Sequence, residues 1–209
     1  MEESVRLNAA DAVLEGRYTP GANPGAVIIT HPHPLYGGTM DNNVVWTAAR
    51  ACQARGLATL RFNFRGVGFS TGDYGDGLAE VADIQAALAF LKEHASPPYW
   101  LVGYSFGAAV AARALLAGLW AHGAVLVSPP IAFMSMDFLP DTPRLRLVVA
   151  GDRDDLCPLG DLKVRLAKAK EPVELVVLPG ADHFFWDKEK ELFQILRDYP
   201  GMETTAETS

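Results

Sequence analysis

Tyr99-Trp100-Leu101-Val102-Gly103-Tyr104-Ser105-Phe106-Gly107, continuing into Ala108–Leu119 (AAVAARALLAGL), is the stretch that decides the fold. Its first five residues form an apolar run of strand length, and its last twelve are strong helix formers. Between them stands Gly-x-Ser-x-Gly. A serine on a very tight strand-to-helix turn has its hydroxyl lifted clear of the sheet, where a base can reach it. The flanking glycines are needed because side chains there would collide with the strand and the helix. Ser105 is therefore the candidate nucleophile.

The same alternation extends in both directions. Gly25–Thr30, Leu57–Phe62, Ala124–Val127, Leu145–Ala150 and Val173–Leu178 read as strands, with the near-continuous hydrophobicity of strands buried on both faces. Between them the apolar period becomes helical. Val44, Val45, Ala48, Ala51 and Cys52 make one face, which Asp41 is expected to cap, and Leu78, Val81, Ile84, Leu88 and Leu91 make another. Leu162–Ala169 and Lys188–Tyr199 supply further helices, and Ser4–Ala9 with Ala12–Tyr18 a leading hairpin. This order implies an α/β fold, a mostly parallel twisted sheet of about seven to eight strands flanked by helices. A single domain is expected over residues 1–199, with 200–209 a polar tail that frays.

Composition agrees with a globular domain and excludes some partners. The chain has 209 residues, 49% hydrophobic and 21% charged, enough to bury a sizeable core. Its net charge of −7 disfavours nucleic-acid backbones and anionic membranes. Met1–Arg6 carries acids where a signal peptide needs bases. Ala114–Met136 lacks Asp, Glu, Lys and Arg, but His122-Gly123 and Pro129-Pro130 break it, so it reads as core and not as a membrane span. His122 itself reads as a solvated or cationic histidine at a helix end. Cys52 and Cys157 are the only cysteines and read as buried thiols, which suits a cytoplasmic chain. A monomer or homodimer is expected.

Gly68-Phe69-Ser70-Thr71-Gly72 repeats the serine motif, but Asp73–Gly77 follows it, a loop that cannot start a helix before about Leu78. Ser70 is read as a loop residue. With this motif the partners follow in the order serine, acid, histidine. His31, His33 and His94 precede Ser105, and His122 precedes the acidic cluster, which leaves His183 as the candidate base. The acid belongs after Leu145–Ala150, where Asp152, Asp154 and Asp155 stand together; spacing alone does not choose among them. His31 and His33 could be read as an H-x-H metal pair, but no third ligand accompanies them, so no metal is assigned. Arg65-Gly66-Val67-Gly68 lacks the third glycine and the helix of a dinucleotide turn, so no nucleotide cofactor is assigned either.

Together, His31-Pro32-His33-Pro34-Leu35-Tyr36-Gly37-Gly38-Thr39-Met40, Arg65-Gly66-Val67-Gly68, the Ser105 elbow, the acidic loop and the His183 loop resemble the α/β-hydrolase superfamily. The likeness is to its small lidless, esterase-like members and runs from about Gly25 to Tyr199. The resemblance implies a domain without a cap and a Ser105–His183–Asp154 triad. Asp154 fits the family pattern G-x-x-D-x-x-x-P through Gly151 and Pro158. The resemblance also implies an oxyanion hole from the Phe106 N–H and a second N–H, either His33 or Leu35, with His33 preferred. Pro32 and Pro34 have none to offer. The implied activity is cofactor-free carboxylesterase hydrolysis of small, short-chain esters. Thioester or amide cleavage is the alternative, and a non-catalytic binding module a remote one. Ile131, Phe133, Met134, Met136, Phe138 and Leu139 lie in the span Ser128–Pro143, where they either cover the sheet edge as ordinary core or, two or three of them, wall a shallow acyl pocket beside Ser105.

Overall fold

The computed structural model describes residues 1–202. The chain forms β1 (Glu3–Asn8), β2 (Val13–Thr19), β3 (Ala26–Thr30), α1 (Asn43–Ala54), β4 (Ala58–Phe62), α2 (Glu80–His94) and β5 (Tyr99–Tyr104). There follow α3 (Phe106–Leu116), β6 (Gly123–Val127), β7 (Leu145–Gly151), α4 (Leu159–Leu166), β8 (Glu174–Leu178) and α5 (Glu189–Asp198). The eight strands form one sheet in the order β1-β2-β4-β3-β5-β6-β7-β8. β1 and β2 pair antiparallel, β2 joins β4 antiparallel, and every later pairing is parallel.

Successive strand residues point to opposite faces, and the core divides accordingly. Ile28, Leu60, Leu101, Leu126 and Val148 pack with α2, α3 and α4. Val27, Ile29, Val102, Val125 and Val149 pack with α1 and α5. Burial on both sides is why these strands read as unbroken apolar runs. In α3, Ala108, Ala109, Ala111 and Ala112 are fully buried, so small side chains let this helix sit close to the sheet, with α2 packed beside it.

The chain leaves β3 for β4 on one side and later returns to β5 on the other. The C-terminal ends of β3 and β5 are thus neighbours whose following loops diverge, the place where open α/β sheets leave a crevice. The loop after β3 and the turn after β5 both open there.

Several local expectations change. Asn42, not Asp41, caps α1, its Oδ1 accepting from the Val44 N–H at 3.0 Å. Asp41 instead pairs with the buried guanidinium of Arg61, which also takes Glu2. α2 starts at Glu80 and leaves Leu78 70% exposed. Gly77, at φ +75°, turns the chain first, and the buried Glu80 carboxylate accepts from the Gly75 and Gly77 N–H groups at 2.7 and 2.8 Å. His122 is no solvated cation. Its Nδ1 accepts from the Tyr99 N–H at 2.9 Å, and burial lowers its pKa. In the stretch Pro200–Ser209, Pro200 and Gly201 are exposed. Met202 is buried and the Arg55 guanidinium donates to the carbonyls of Tyr199 and Met202, while residues 203–209 of that stretch lie outside the described residues. Both thiols are buried. Among the described residues no helix is long and apolar enough to cross a membrane; Ala114–Met136 holds the end of α3, β6 and the loop that follows.

Candidate active site

The turn after β5 is as tight as its glycines require. A Cβ on Gly103 would lie 2.6 Å from the Ala108 Cα, and one on Gly107 would lie 2.5 Å from the Thr30 hydroxyl. Ser105 takes the left-handed conformation, φ +53°, which a non-glycine residue holds at a cost of about 1–3 kcal/mol. Backbone bonds fix it there. The Ser105 N–H donates to the Val127 carbonyl at 2.9 Å, and the Gly107 N–H to the His31 carbonyl at 3.1 Å.

Ser105 Oγ lies 2.8 Å from His183 Nε2. His183 comes from the loop after β8, and the buried Tyr104 hydroxyl donates to its carbonyl at 2.9 Å, so the strand that presents the serine also holds the histidine. On its far side, His183 Nδ1 lies 2.9 and 3.0 Å from the two carboxylate oxygens of Asp154. Asp154 Oδ1 further accepts from the Leu156 and Cys157 N–H groups at 2.9 and 3.0 Å. An ionised carboxylate only accepts, so the Nδ1 proton points to Asp154 and Nε2 is left to accept from the serine hydroxyl. Burial by itself would raise the Asp154 pKa. The His183 imidazole, the nearby Ser128 hydroxyl and the Cys157 amide outweigh it and hold the carboxyl below its ordinary range. The same burial, together with the Asp154 charge, pushes the Cys157 thiol far up, leaving it inert.

The neighbouring carboxylates face elsewhere. Asp152 accepts from the Gly180 N–H at 2.6 Å and Asp155 is exposed, so only Asp154 meets the imidazole. Ser70 is buried and donates to the Asn63 carbonyl at 2.8 Å, away from any histidine.

Neither the Phe106 N–H nor the His33 N–H has a hydrogen-bond partner among the described residues, and His33 lines the same cavity as Ser105. The Leu35 N–H is engaged. It donates to His33 Nδ1 at 3.2 Å, and so His33 caps the 3-10 turn over Pro34–Tyr36. His31 lies beneath this loop, fully buried, with Nδ1 donating to the Pro32 carbonyl at 2.6 Å and Nε2 accepting from the Phe64 N–H at 2.9 Å. Both of its ring nitrogens are thereby used, and burial lowers its pKa to about 4. Among the described residues, no group of three or more His, Cys, Asp or Glu side chains could hold a metal ion.

A cavity of about 290 Å³ opens above Ser105 and His183, walled by Tyr36, Phe133, Leu156 and Phe184. Of the apolar span Ser128–Pro143, only Phe133 reaches it. Ile131, Met136 and Leu139 are core, and Met134 and Phe138 pack against that core. The expected wall of two or three of these side chains therefore reduces to one. Its other members stand a few positions after motif residues, which is the one signal the sequence holds for them: Tyr36 after His33, Leu156 after Asp154, Phe184 after His183. A larger groove of about 550 Å³ lies at the other end of the sheet, by Gly25, Ala58 and Ser96, and touches none of this machinery.

Comparison with known proteins agrees with this geometry. A model of the alpha/beta hydrolase family matches residues 27–145. An uncharacterized protein of Rickettsia prowazekii is 33% identical over 207 residues, covering 93% of this chain and 87% of that one. Among solved structures, an alpha-beta serine hydrolase homologue from Coxiella burnetii superposes with a TM-score of 0.88 at 37% identity, over 95% of this chain and 97% of that one. A serine hydrolase without a lid from Xanthomonas campestris does so with a TM-score of 0.87 at 29% identity, over 94% and 92% of the two chains. The family match covers more than half of the sequence and the likeness extends along nearly all of it: the chain belongs to the alpha/beta hydrolase family, as a lidless serine hydrolase.

Proposed function

We propose that this hydrolase is a carboxylesterase for short acyl esters, with Ser105 as nucleophile, His183 as general base and acid, and Asp154 orienting the imidazole. The observation that carries the reading is the 2.8 Å contact between Ser105 Oγ and His183 Nε2 at the floor of an apolar cavity. As Oγ attacks the acyl carbon, its proton passes to Nε2, and the Asp154 charge stabilises the imidazolium that forms. The carbonyl oxygen becomes an oxyanion received by the Phe106 and His33 N–H groups. The engagement of the Leu35 N–H favours His33 over Leu35 for the second donor. Each such donor is worth about 10²–10³ in turnover. His183 then protonates the departing alkoxide, and water repeats the sequence to release the acid.

The short-chain preference rests on the cavity. Phe133 and Phe184 form its rim and are 48% and 51% exposed, so a long chain would run out into water. Each buried CH₂ contributes about 0.8 kcal/mol, roughly fourfold in kcat/KM, only while it stays inside. On chromogenic esters from acetyl to dodecanoyl, kcat/KM is expected to peak at about two to six carbons. A steady rise to dodecanoyl, with activation at a lipid interface, would overturn the acyl-length assignment. Faster turnover of matched thioesters or anilides than of esters would overturn the ester assignment.

A further inference from the structure

The imidazole of His33 is used by nothing in the reaction just described, yet both of its nitrogens are bonded and the ring sits beside the proposed oxyanion donors. Nδ1 accepts from the Leu35 N–H at 3.2 Å, and an amide can only donate, so Nδ1 carries no proton. The proton of the neutral ring is therefore on Nε2, which lies 3.0 Å from the Tyr74 hydroxyl. That hydroxyl lies 3.0 Å from Asp76 Oδ1 and donates to it. The bonds thus run one way, from the Leu35 N–H into the ring and from the ring through Tyr74 to Asp76.

Each end of this chain is anchored. The Asp76 carbonyl accepts from Arg113 on α3 at 3.1 Å, and the amides of Gly75 and Gly77 on either side of Asp76 donate to the buried Glu80 carboxylate. At the other end, the His33 carbonyl accepts from the Tyr36 and Gly38 N–H groups at 3.1 and 3.0 Å, closing the loop on itself. The ring packs against Phe106 with centroids 4.9 Å apart, and Phe106 supplies the other proposed oxyanion N–H. Burial lowers the His33 pKa, while Asp76 and Glu80 pull it the other way.

We propose that the His33 side chain is a positioning residue. Held by Tyr74 and Asp76, it fixes the Pro32–Gly38 loop so that the His33 N–H converges with the Phe106 N–H on the oxyanion. This rests on the esterase reading above. A donor that stays unbonded until the reaction needs it must be held by its surroundings, because nothing on the N–H itself fixes its direction. The ring does so at one remove, by gripping the next turn of the same loop.

The test pairs ester kinetics with a boronic acid, which forms a tetrahedral adduct at the serine and so reports transition-state binding. His33→Ala is expected to lower kcat by about 10- to 100-fold, less than outright loss of a donor, and to raise the boronate inhibition constant by the same factor, with KM within about twofold. His33→Asn, whose carbonyl can accept from the Leu35 N–H, should recover much of both losses. Tyr74→Phe preserves the packing but removes the link to Asp76, and should lose about 3- to 10-fold in each, with an unchanged melting temperature. If Tyr74→Phe and His33→Ala turn over like the parent, or lose kcat without losing boronate affinity, the positioning role is wrong. Failure of the unaltered chain to be labelled at Ser105 by a fluorophosphonate would instead overturn the esterase reading, and this inference with it.

Discussion

Two stretches of this chain spell Gly-x-Ser-x-Gly, and their glycines are there for different reasons. At Gly68–Gly72 both glycines sit in the left-handed region, φ +58° and +82°, and the serine between them is an ordinary loop residue. At Gly103–Gly107 neither glycine has a positive φ. They are needed for space, and the serine itself carries the left-handed conformation. Ser70 spends its hydroxyl on the backbone, donating to the Asn63 carbonyl and accepting from the Glu15 N–H at 3.0 Å. The Ser105 hydroxyl instead meets an imidazole. The shared pattern therefore reports glycine, while the elements on either side decide whether the serine is strained and exposed to a base or relaxed and tied down.

The largest expected effect separates the two serines directly. Ser105→Ala should reduce ester turnover by about 10⁶-fold, since triad members act as a unit, with the fold retained. Asp154→Asn should cost about 10⁴-fold, because an amide cannot hold the imidazole in the required tautomer. Asp155→Asn, on an exposed side chain, should leave kcat within about twofold. Steady-state kinetics and circular dichroism on the purified variants check all three. Comparable losses from the Asp154 and Asp155 variants would dissolve the assignment of the acid.

How far the sequence could be read differs between these parts for physical reasons. The sheet was legible because strands buried on both faces leave continuous apolar runs, and the Ser105 turn because a strand, two glycines and an alanine-rich helix must agree there. The acidic loop was legible only through the family pattern that Gly151, Asp154 and Pro158 match, and not through spacing. Asp152, Asp154 and Asp155 occupy one turn, and which of them meets the imidazole depends on the amides of Leu156 and Cys157, which bring the Asp154 carboxylate inward. That is backbone geometry, which three carboxylates in four residues do not report by their spacing. The cavity wall was misread because hydrophobicity does not distinguish core from pocket. Met136 and Leu139 are apolar and wholly buried, while the wall comes from Tyr36, Phe133, Leu156 and Phe184, far apart in sequence. Asp41 lost the cap of α1 to its neighbour Asn42 because a buried Arg61 needed its charge.

His31 joins the two motifs and allows a sharper comparison. Its carbonyl accepts from Gly107 in the Ser105 turn, and its Nε2 accepts from Phe64 at the entrance to the Ser70 loop. A protonated ring could not accept the second bond. Burial holds its pKa at about 4, below the roughly 6.5 of an unfolded histidine. Between those values the unfolded chain binds the extra proton, so the contribution to stability is present above about pH 6.5 and is lost as the pH falls toward 4. The full effect is on the order of 3 kcal/mol. Urea unfolding of the parent and of His31→Gln at pH 7.5, 6 and 5 should show the parent's advantage shrinking with acid. An advantage constant across that range would mean that the ring is not held neutral.

The smallest effect expected is on Ser70, and it concerns stability alone. Ser70→Ala removes one hydroxyl that serves two backbone groups, the Glu15 N–H at 3.0 Å and the Asn63 carbonyl at 2.8 Å. Both belong to the packed junction of β2 with the segment after β4, so a lost partner is not simply replaced by bulk water. Leaving a buried group unsatisfied costs about 1–3 kcal/mol, which for a chain of this size corresponds to a melting temperature lower by roughly 2–12 °C. No reacting group is touched, so kcat and KM should stay within about twofold of the parent. Calorimetry and ester kinetics on the same preparation measure the two quantities together. A drop in turnover without a drop in melting temperature would mean that the Gly68–Gly72 loop acts on the reaction and that Ser70 is more than a structural residue.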